Sequence, residues 1–200
     1  MPRRIGVILA AGRGSRMGGT KQLAVWTTAE GRKPLIAAAY DAIRPICEDM
    51  IVVLGHEADA VAAALVDRPF HRVDNDPDAP MFESIRTGLR AANSLDPAAT
   101  IVLHPGDQPE VAPSTLSALT DWSLQRPVQA IIPQIGDRGG HPALIPPQIA
   151  SLLIDADCPS GLGEFWLSHP DLCVRVPVSD PSALHDIDTS ADLPEGRPAL

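Results

Sequence analysis

The chain has 200 residues, 44% of them hydrophobic, with 16 Lys and Arg against 25 Asp and Glu and a formal net charge of −9. Such a length suits one domain, expected over 1–200, with one substantial core, and the acidic balance provides no global positive field for nucleic acid or an anionic membrane. No stretch approaches the roughly 20 continuous apolar residues of a membrane span, and the N-terminus shows no apolar leader with a cleavage site, so a cytoplasmic protein is expected. Cys47, Cys158 and Cys173 are far apart and lack C-x-x-C spacing, which predicts free thiols rather than a disulfide framework or a zinc site.

Residues 5–10 form a short apolar run, read as a buried strand that breaks at Ala11. The following stretch, from Gly12 to Lys21, mixes glycine with cationic side chains. Glycines let bare backbone N–H groups approach phosphate oxygens, while Arg13, Arg16 and Lys21 supply charge and donors. The stretch is therefore read as a polyphosphate cradle. It matches neither common fingerprint: Met17 stands where a dinucleotide loop needs its third glycine, and Lys21 falls one residue late for a Walker A loop.

Residues 22–33 have mixed character and end in a turn signal at Gly31-Arg32-Lys33-Pro34; Trp26, inside this segment, is placed as a lid over the pocket. A helix is predicted over 35–46, a buried strand over 50–54, a helix over 59–66 and a short strand over 71–75. An amphipathic helix over 82–92 carries Ser84 and Gly88. A buried strand over 99–103 stops at His104-Pro105-Gly106-Asp107-Gln108-Pro109, where two prolines forbid continuation. A helix over 114–124 and a strand over 130–135 follow, and the turn 136–140 leads into 141–145, expected to pair back on that strand. Two short helices near 148–153 and 163–168, a last strand over 173–178 and the segment His185-Asp186-Ile187-Asp188-Thr189 complete the chain. Strands alternating with helices predict an α/β fold whose mostly parallel sheet is covered on both faces. Ligands of such sheets sit outside the carboxyl ends of the strands. The loop after the first strand and the Asp107 turn after the fourth are thus expected on the same edge.

Asp107, held on a turn between Gly106 and Pro109 and facing a polyphosphate loop, suits Mg²⁺, which takes one or two carboxylates plus substrate phosphates. Asp186 and Asp188 are at strand spacing, so both are expected on one face. Either one completes the metal site or caps the C-terminal helix, and Asp188 is the preferred ligand. His141, in Gly140-His141-Pro142, is a candidate contact for the acceptor or the metal region, with a plain hairpin-turn histidine as the alternative.

Taken together, residues 9–23, Met81 through Leu89, Gly106 to Pro109, Gly140 to Leu144 and Asp186 to Thr189 resemble the MobA-like nucleotidyltransferases, most closely the molybdenum cofactor cytidylyltransferase group. The resemblance implies a Rossmann-like three-layer sandwich of the nucleotide-diphospho-sugar transferase type, transferring CMP from CTP to a phosphorylated acceptor of the molybdopterin type, with a molybdoenzyme or its chaperone as downstream partner. By that likeness Leu9, Ala10, Ala11, Gly12, Arg13, Gly14 and Ser84 bind the nucleotide, Arg16 and Lys21 contact the triphosphate, Asp107 binds Mg²⁺, and Asp188 matches the second aspartate. The Ala10-Ala11 pair looks like the cytidylyl branch, where guanylyl relatives carry Ala-Gly-Gly. Three departures stand out: the segment 24–33 is longer than the usual connector, Gly161-Leu162-Gly163-Glu164 lacks an arginine that relatives often have there, and Met81-Phe82-Glu83-Ser84 replaces a serine-rich version. The chemistry is self-consistent, because a phosphate monoester with a second pKa of about 6 is already a dianionic nucleophile and needs no general base. Alternatives are GTP as donor, a sugar or alditol phosphate as acceptor, or a non-catalytic nucleotide and pterin carrier. A nicotinamide-dependent oxidoreductase is disfavoured by the broken dinucleotide fingerprint.

Overall fold

The computed structural model describes residues 2–13, 17, 19–28 and 31–193; Gly14 and Arg16 of the expected cradle lie outside them. The strands are β1 (Arg4–Ala10), β2 (Val25–Thr28), β3 (Gly31–Pro34), β4 (Asp49–Leu54), β5 (His71–Asp74), β6 (Thr100–Pro105), β7 (Ala130–Ile135), β8 (Arg138–Gly139), β9 (Ala143–Ile145) and β10 (Cys173–Pro177). The helices are α1 (Leu35–Ile43), α2 (Ala58–Ala63), α3 (Met81–Leu95), α4 (Pro113–Gln125), α5 (Pro147–Asp155) and α6 (Leu162–Ser168).

The main sheet runs β10-β7-β9-β6-β1-β4-β5, with β8 pairing on the end of β7. β1 lies between β4 and β6, parallel to both, and β5 extends the parallel run beyond β4. β10 is parallel to β7, whereas β9 is antiparallel to both its neighbours. The central strands are continuous apolar runs because each face has its own helices to meet. Ile5, Val7, Ile51, Val53, Ile101 and Leu103 pack in one cluster with α3, α5 and α6. Their sequence neighbours Ile8, Met50, Val52, Leu54 and Val102 pack in the other with α1, α2 and α4. The expected three layers follow from this alternation.

One glycine controls the height of α3 above the sheet. A Cβ on Gly88 would stand 2.5 Å from Val7 Cγ1 and 3.1 Å from Val53 Cγ2. Its absence seats the helix directly on β1 and β4 and places Ser84, one turn earlier, near their carboxyl ends.

Several sequence expectations change. The helix expected over 35–46 ends at Ile43 and continues as a 3₁₀ turn, Arg44–Ile46, because Pro45 has no N–H to extend the α-helical ladder. The strand expected over 141–145 is only Ala143–Ile145, and it inserts between β6 and β7 instead of pairing with β7 alone. The His141–Pro142 peptide leading into it is cis. Finally, the segment 22–33 is a 3₁₀ turn, Lys21–Leu23, followed by the antiparallel β2–β3 hairpin. Trp26 is only 5% exposed and packs with Leu35, Ala38, Ile187 and Leu193, so it belongs to the core and is no lid. Burying an indole removes about 150–250 Å² from water, and here it staples the hairpin to α1 and the C-terminal segment. No helix among the described residues is long and apolar enough to cross a membrane.

Candidate active site

Parallel strands deliver their carboxyl ends to one edge, and the reversed β9 delivers its approach, Gly140 to Pro142, to the same edge. A cavity of about 740 Å³ opens there. On the β4–β5 side it is lined by Leu9, Ala11, Gly12, Asp76, Pro77 and Ser84; on the β9–β7–β10 side by Arg138, Gly140, His141, Gly161, Leu184 and Asp186. Lys21, Asp107 and Asp188 stand where the two sides meet, since Asp107 follows the middle strand β6.

At the centre the Lys21 ammonium forms ion pairs with both Asp107 and Asp188, the latter at 3.0 Å. Burial opposes the charge on Lys21, but hydrogen bonds and Coulombic attraction from the two carboxylates outweigh it and hold the ammonium above the usual lysine range. The Ile187 N–H donates to the Asp107 carbonyl at 3.0 Å, which latches the C-terminal segment onto the Asp107 turn. Ile187 is fully buried, and the acids on either side of it diverge: Asp186 accepts from Gln108 Nε2 at 2.8 Å, while Asp188 reaches Lys21. The expected shared strand face is therefore absent, because 185–189 is not a strand. Neither acid caps the final 3₁₀ turn, where Thr189 and Asp192 form the capping box.

Beneath the turn, His104 is fully buried and its Nε2 donates to the Gln108 carbonyl at 2.8 Å. Burial drives its pKa down to about 3, so the ring is neutral and acts as a strut. Gly106 N–H donates to the Leu9 carbonyl at 2.9 Å, tying the Asp107 turn to the start of the glycine-rich loop. Asp180 anchors the incoming C-terminal segment by accepting from Ala112 N–H at 2.8 Å and Thr115 Oγ1 at 3.0 Å.

Of the other expected nucleotide contacts, Leu9, Ala11 and Gly12 line the cavity, and Ala10 is buried in the core below them. Arg13 turns outward into a two-pronged pair with Asp78, Nε to Oδ1 and Nη2 to Oδ2 both at 2.7 Å. Ser84 Oγ accepts from Asn75 Nδ2 at 3.0 Å, and Asn75 Oδ1 accepts from Thr87 Oγ1 at 3.3 Å. His141 is half-buried on the cavity wall; its N–H donates to the Ala183 carbonyl at 2.9 Å, and burial lowers its pKa, which favours the neutral ring.

Sequence reasoning assigned no role to Gln22, Gln108 and Asn75. Gln22, 3% exposed, donates from Nε2 to the Gly12 carbonyl at 3.3 Å and so braces the loop from behind. Gln22 and Gln108 sit inside the stretches that carried the family resemblance, which was the available signal. All three cysteines are free, and burial pushes the Cys47 thiol up to about 12.

Two carboxylates converge on one cationic point, and no group of three or more His, Cys, Asp or Glu suited to a metal exists among the described residues. This fits a hard cation that completes its shell with substrate phosphates and water, such as Mg²⁺ or Mn²⁺, and does not fit an all-protein zinc site.

A mostly parallel sheet whose first strand leads into a glycine-rich stretch, with an Asp turn after a neighbouring strand, is the fold of nucleotidyltransferases of the nucleotide-diphospho-sugar transferase type. Residues 6–171 match the MobA-like NTP transferase domain, and the chain belongs to that family. It is 30% identical over 200 residues to the nicotine blue oxidoreductase of Paenarthrobacter nicotinovorans, covering 94% of each chain. It is 30% identical over 147 residues to a probable molybdenum cofactor guanylyltransferase of Chloroflexus aggregans, a match spanning 72% of this chain and 63% of that protein. Among solved structures it resembles Rv0371c of Mycobacterium tuberculosis, with TM-score 0.74, 28% identity and 95% of both chains covered. A manganese complex of the same mycobacterial protein gives a TM-score of 0.69 at 27% identity, again with 95% of both chains covered.

Proposed function

We propose that the chain transfers CMP from CTP to a phosphate monoester of the molybdopterin type, with a divalent cation held by Asp107 and Asp188. The observation that carries this reading is Lys21 bridging those two carboxylates beside the Ala11–Gly12 backbone. An oxygen of the acceptor phosphate attacks the α-phosphorus; the new P–O bond forms as the bond to the β-phosphate oxygen breaks, and pyrophosphate leaves with the electron pair. The acceptor is already dianionic near neutral pH, so no side chain has to remove a proton. Lys21 turns from the carboxylates to the leaving phosphates, joined by Arg13 and Arg16, and neutralises charge as it develops. Leu9, Ala11, Gly12, Gly14 and Ser84 hold the nucleoside end; the likeness of Ala10-Ala11 to the cytidylyl branch supports cytosine, with Ala11 the residue of the pair at the cavity. His141 contacts the acceptor. Mg²⁺ or Mn²⁺, when bound, supplies Lewis-acid polarisation of the phosphates.

Two relatives favour variants of this reading. The guanylyltransferase makes GTP the first alternative donor, and the likeness over 94% of each chain to a protein named as an oxidoreductase makes a redox reaction, probed with nicotinamide cofactors, the alternative. Pyrophosphate release measured with each of the four NTPs, with Mg²⁺ or Mn²⁺, and with molybdopterin or alditol phosphates separates them. The expected result is release that requires CTP, metal and acceptor together. Preferential GTP use moves the base assignment. NTP-independent oxidation of NADH or NADPH overturns the reading in favour of the oxidoreductase, and CTP binding with no pyrophosphate from any acceptor makes the chain a carrier.

A further inference from the structure

The cavity is lined by two permanently cationic side chains among the described residues, and they differ in what they already hold. Lys21 is committed to two carboxylates. Arg138, on the opposite side, makes no ion pair or hydrogen bond with its side chain among the described residues, in a chain carrying a net charge of −9. Its position is nonetheless well defined. β8 is pinned to the end of β7 through Gln134 with Gly139 and Ile135 with Arg138, and Gly140 N–H donates to the Pro133 carbonyl at 2.8 Å. Gly139 brings up a second guanidinium: a Cβ there would lie 2.8 Å from Arg175 Nη1, so Arg175 packs against the backbone beside Arg138.

The reaction needs positive charge on this side. Joining a phosphate dianion to a nucleotide triphosphate brings two anions together, and their repulsion in a partly desolvated cleft costs several kcal/mol unless it is offset. Lys21 and the cation cradle serve the triphosphate. On the other wall burial favours neutral His141, and Asp186 is a carboxylate already tied to Gln108, so neither attracts a phosphate. An uncommitted guanidinium has the fork geometry that takes phosphate oxygens in pairs.

We infer that Arg138 binds the phosphate of the acceptor, holding it at the cavity lip so that one oxygen faces the α-phosphorus. This rests on the nucleotidyl-transfer reading and adds to it the residue that recognises the nucleophile. It predicts a substrate class: acceptors carrying a terminal phosphate monoester, with the corresponding alcohols not bound on this wall.

The test is steady-state kinetics of wild type, Arg138→Met and Arg138→Lys, with CTP and the phosphorylated acceptor that wild type uses, and inorganic phosphate as a competing probe. A hydrogen bond to a charged group is worth about 1.5–3 kcal/mol, so Arg138→Met is expected to raise the acceptor KM about 10- to 100-fold. The CTP KM stays within about twofold, since no nucleotide contact is removed. Arg138→Lys restores part of the loss as a point charge. Inorganic phosphate inhibits wild type competitively with the acceptor and loses potency in Arg138→Met. Because the side chain is exposed and has no partner among the described residues, the melting temperature is expected to hold, which separates the effect from misfolding. An unchanged acceptor KM, or equal rises in both KM values, overturns the inference while leaving nucleotidyl transfer standing. Absence of pyrophosphate release by wild type with every NTP and acceptor overturns both.

Discussion

The two sides of the cavity are built differently. On the β4–β5 side the polar groups are already engaged with one another: Arg13 with Asp78, Asn75 with Ser84 and Thr87, Gln22 with the Gly12 carbonyl. On the proposed function, ligand contact there falls largely to backbone at the ends of parallel strands, which a change of side chain hardly alters. The β9–β7–β10 side is assembled from a two-residue hairpin strand, the approach to β9 and a C-terminal segment held by the Asp107 carbonyl, and it carries a cation, Arg138, with no side-chain partner among the described residues. A backbone-built half suits the part of the reaction shared by all nucleotides. A side-chain-built half suits the part that must differ between acceptors.

The largest test of that contrast lies at the junction. Lys21→Met removes the charge that both carboxylates engage and is expected to cut turnover about 10²- to 10³-fold, the range for losing one preorganised electrostatic contact; turnover within twofold of wild type removes Lys21 from the chemistry. Next comes Gly140→Val on the acceptor side. A Cβ there would fall 2.1 Å from the Ala183 carbonyl oxygen, so the C-terminal segment must shift, with a loss of about 1–3 kcal/mol of stability read by urea unfolding. Acceptor KM is expected to rise more than nucleotide KM.

His104→Gln tests the strut beneath the junction through pH. The folded state keeps His104 neutral down to about 3, while the unfolded chain protonates it near 6.5. Between those values the unfolded state binds the extra proton, so this contribution is complete above pH 6.5 and is lost as pH falls toward 3. The slope approaches about 1.4 kcal/mol per pH unit, and His104→Gln is expected to flatten it; parallel stability curves for the two proteins would show that His104 titrates normally. The smallest effect is expected for Asp78→Asn. It breaks an exposed pair, so the melting temperature should hold while Arg13 is freed and the nucleotide KM falls modestly at low salt. A large stability loss would show that the pair is structural.

Much of this protein was legible in its residues. Short apolar runs at 5–10, 50–54 and 99–103, each stopped by a turn signal, read as strands buried on both faces, and their alternation with helical stretches implied helices above and below a mostly parallel sheet. The glycine and cation loop and the Asp107 turn were recognisable because each directly follows such a strand. Other features depend on contacts between segments far apart in the chain. Trp26 read as a lid because nothing local says that Leu35, Ala38, Ile187 and Leu193 meet around it. Asp186 and Asp188 read as a pair because a period-2 spacing is visible in sequence, whereas burial of Ile187 and the Gln108 and Lys21 partners that separate them are tertiary facts. Likewise 16 Lys and Arg can be counted from the sequence, but which of them meet a carboxylate depends on the fold. Periodicity and composition determined the layers and the loop chemistry, because those follow from neighbours along the chain. The bridging of Lys21 and the lack of a partner for Arg138 among the described residues were decided by the tertiary structure, because a charge is paired or unpaired according to what folding places beside it.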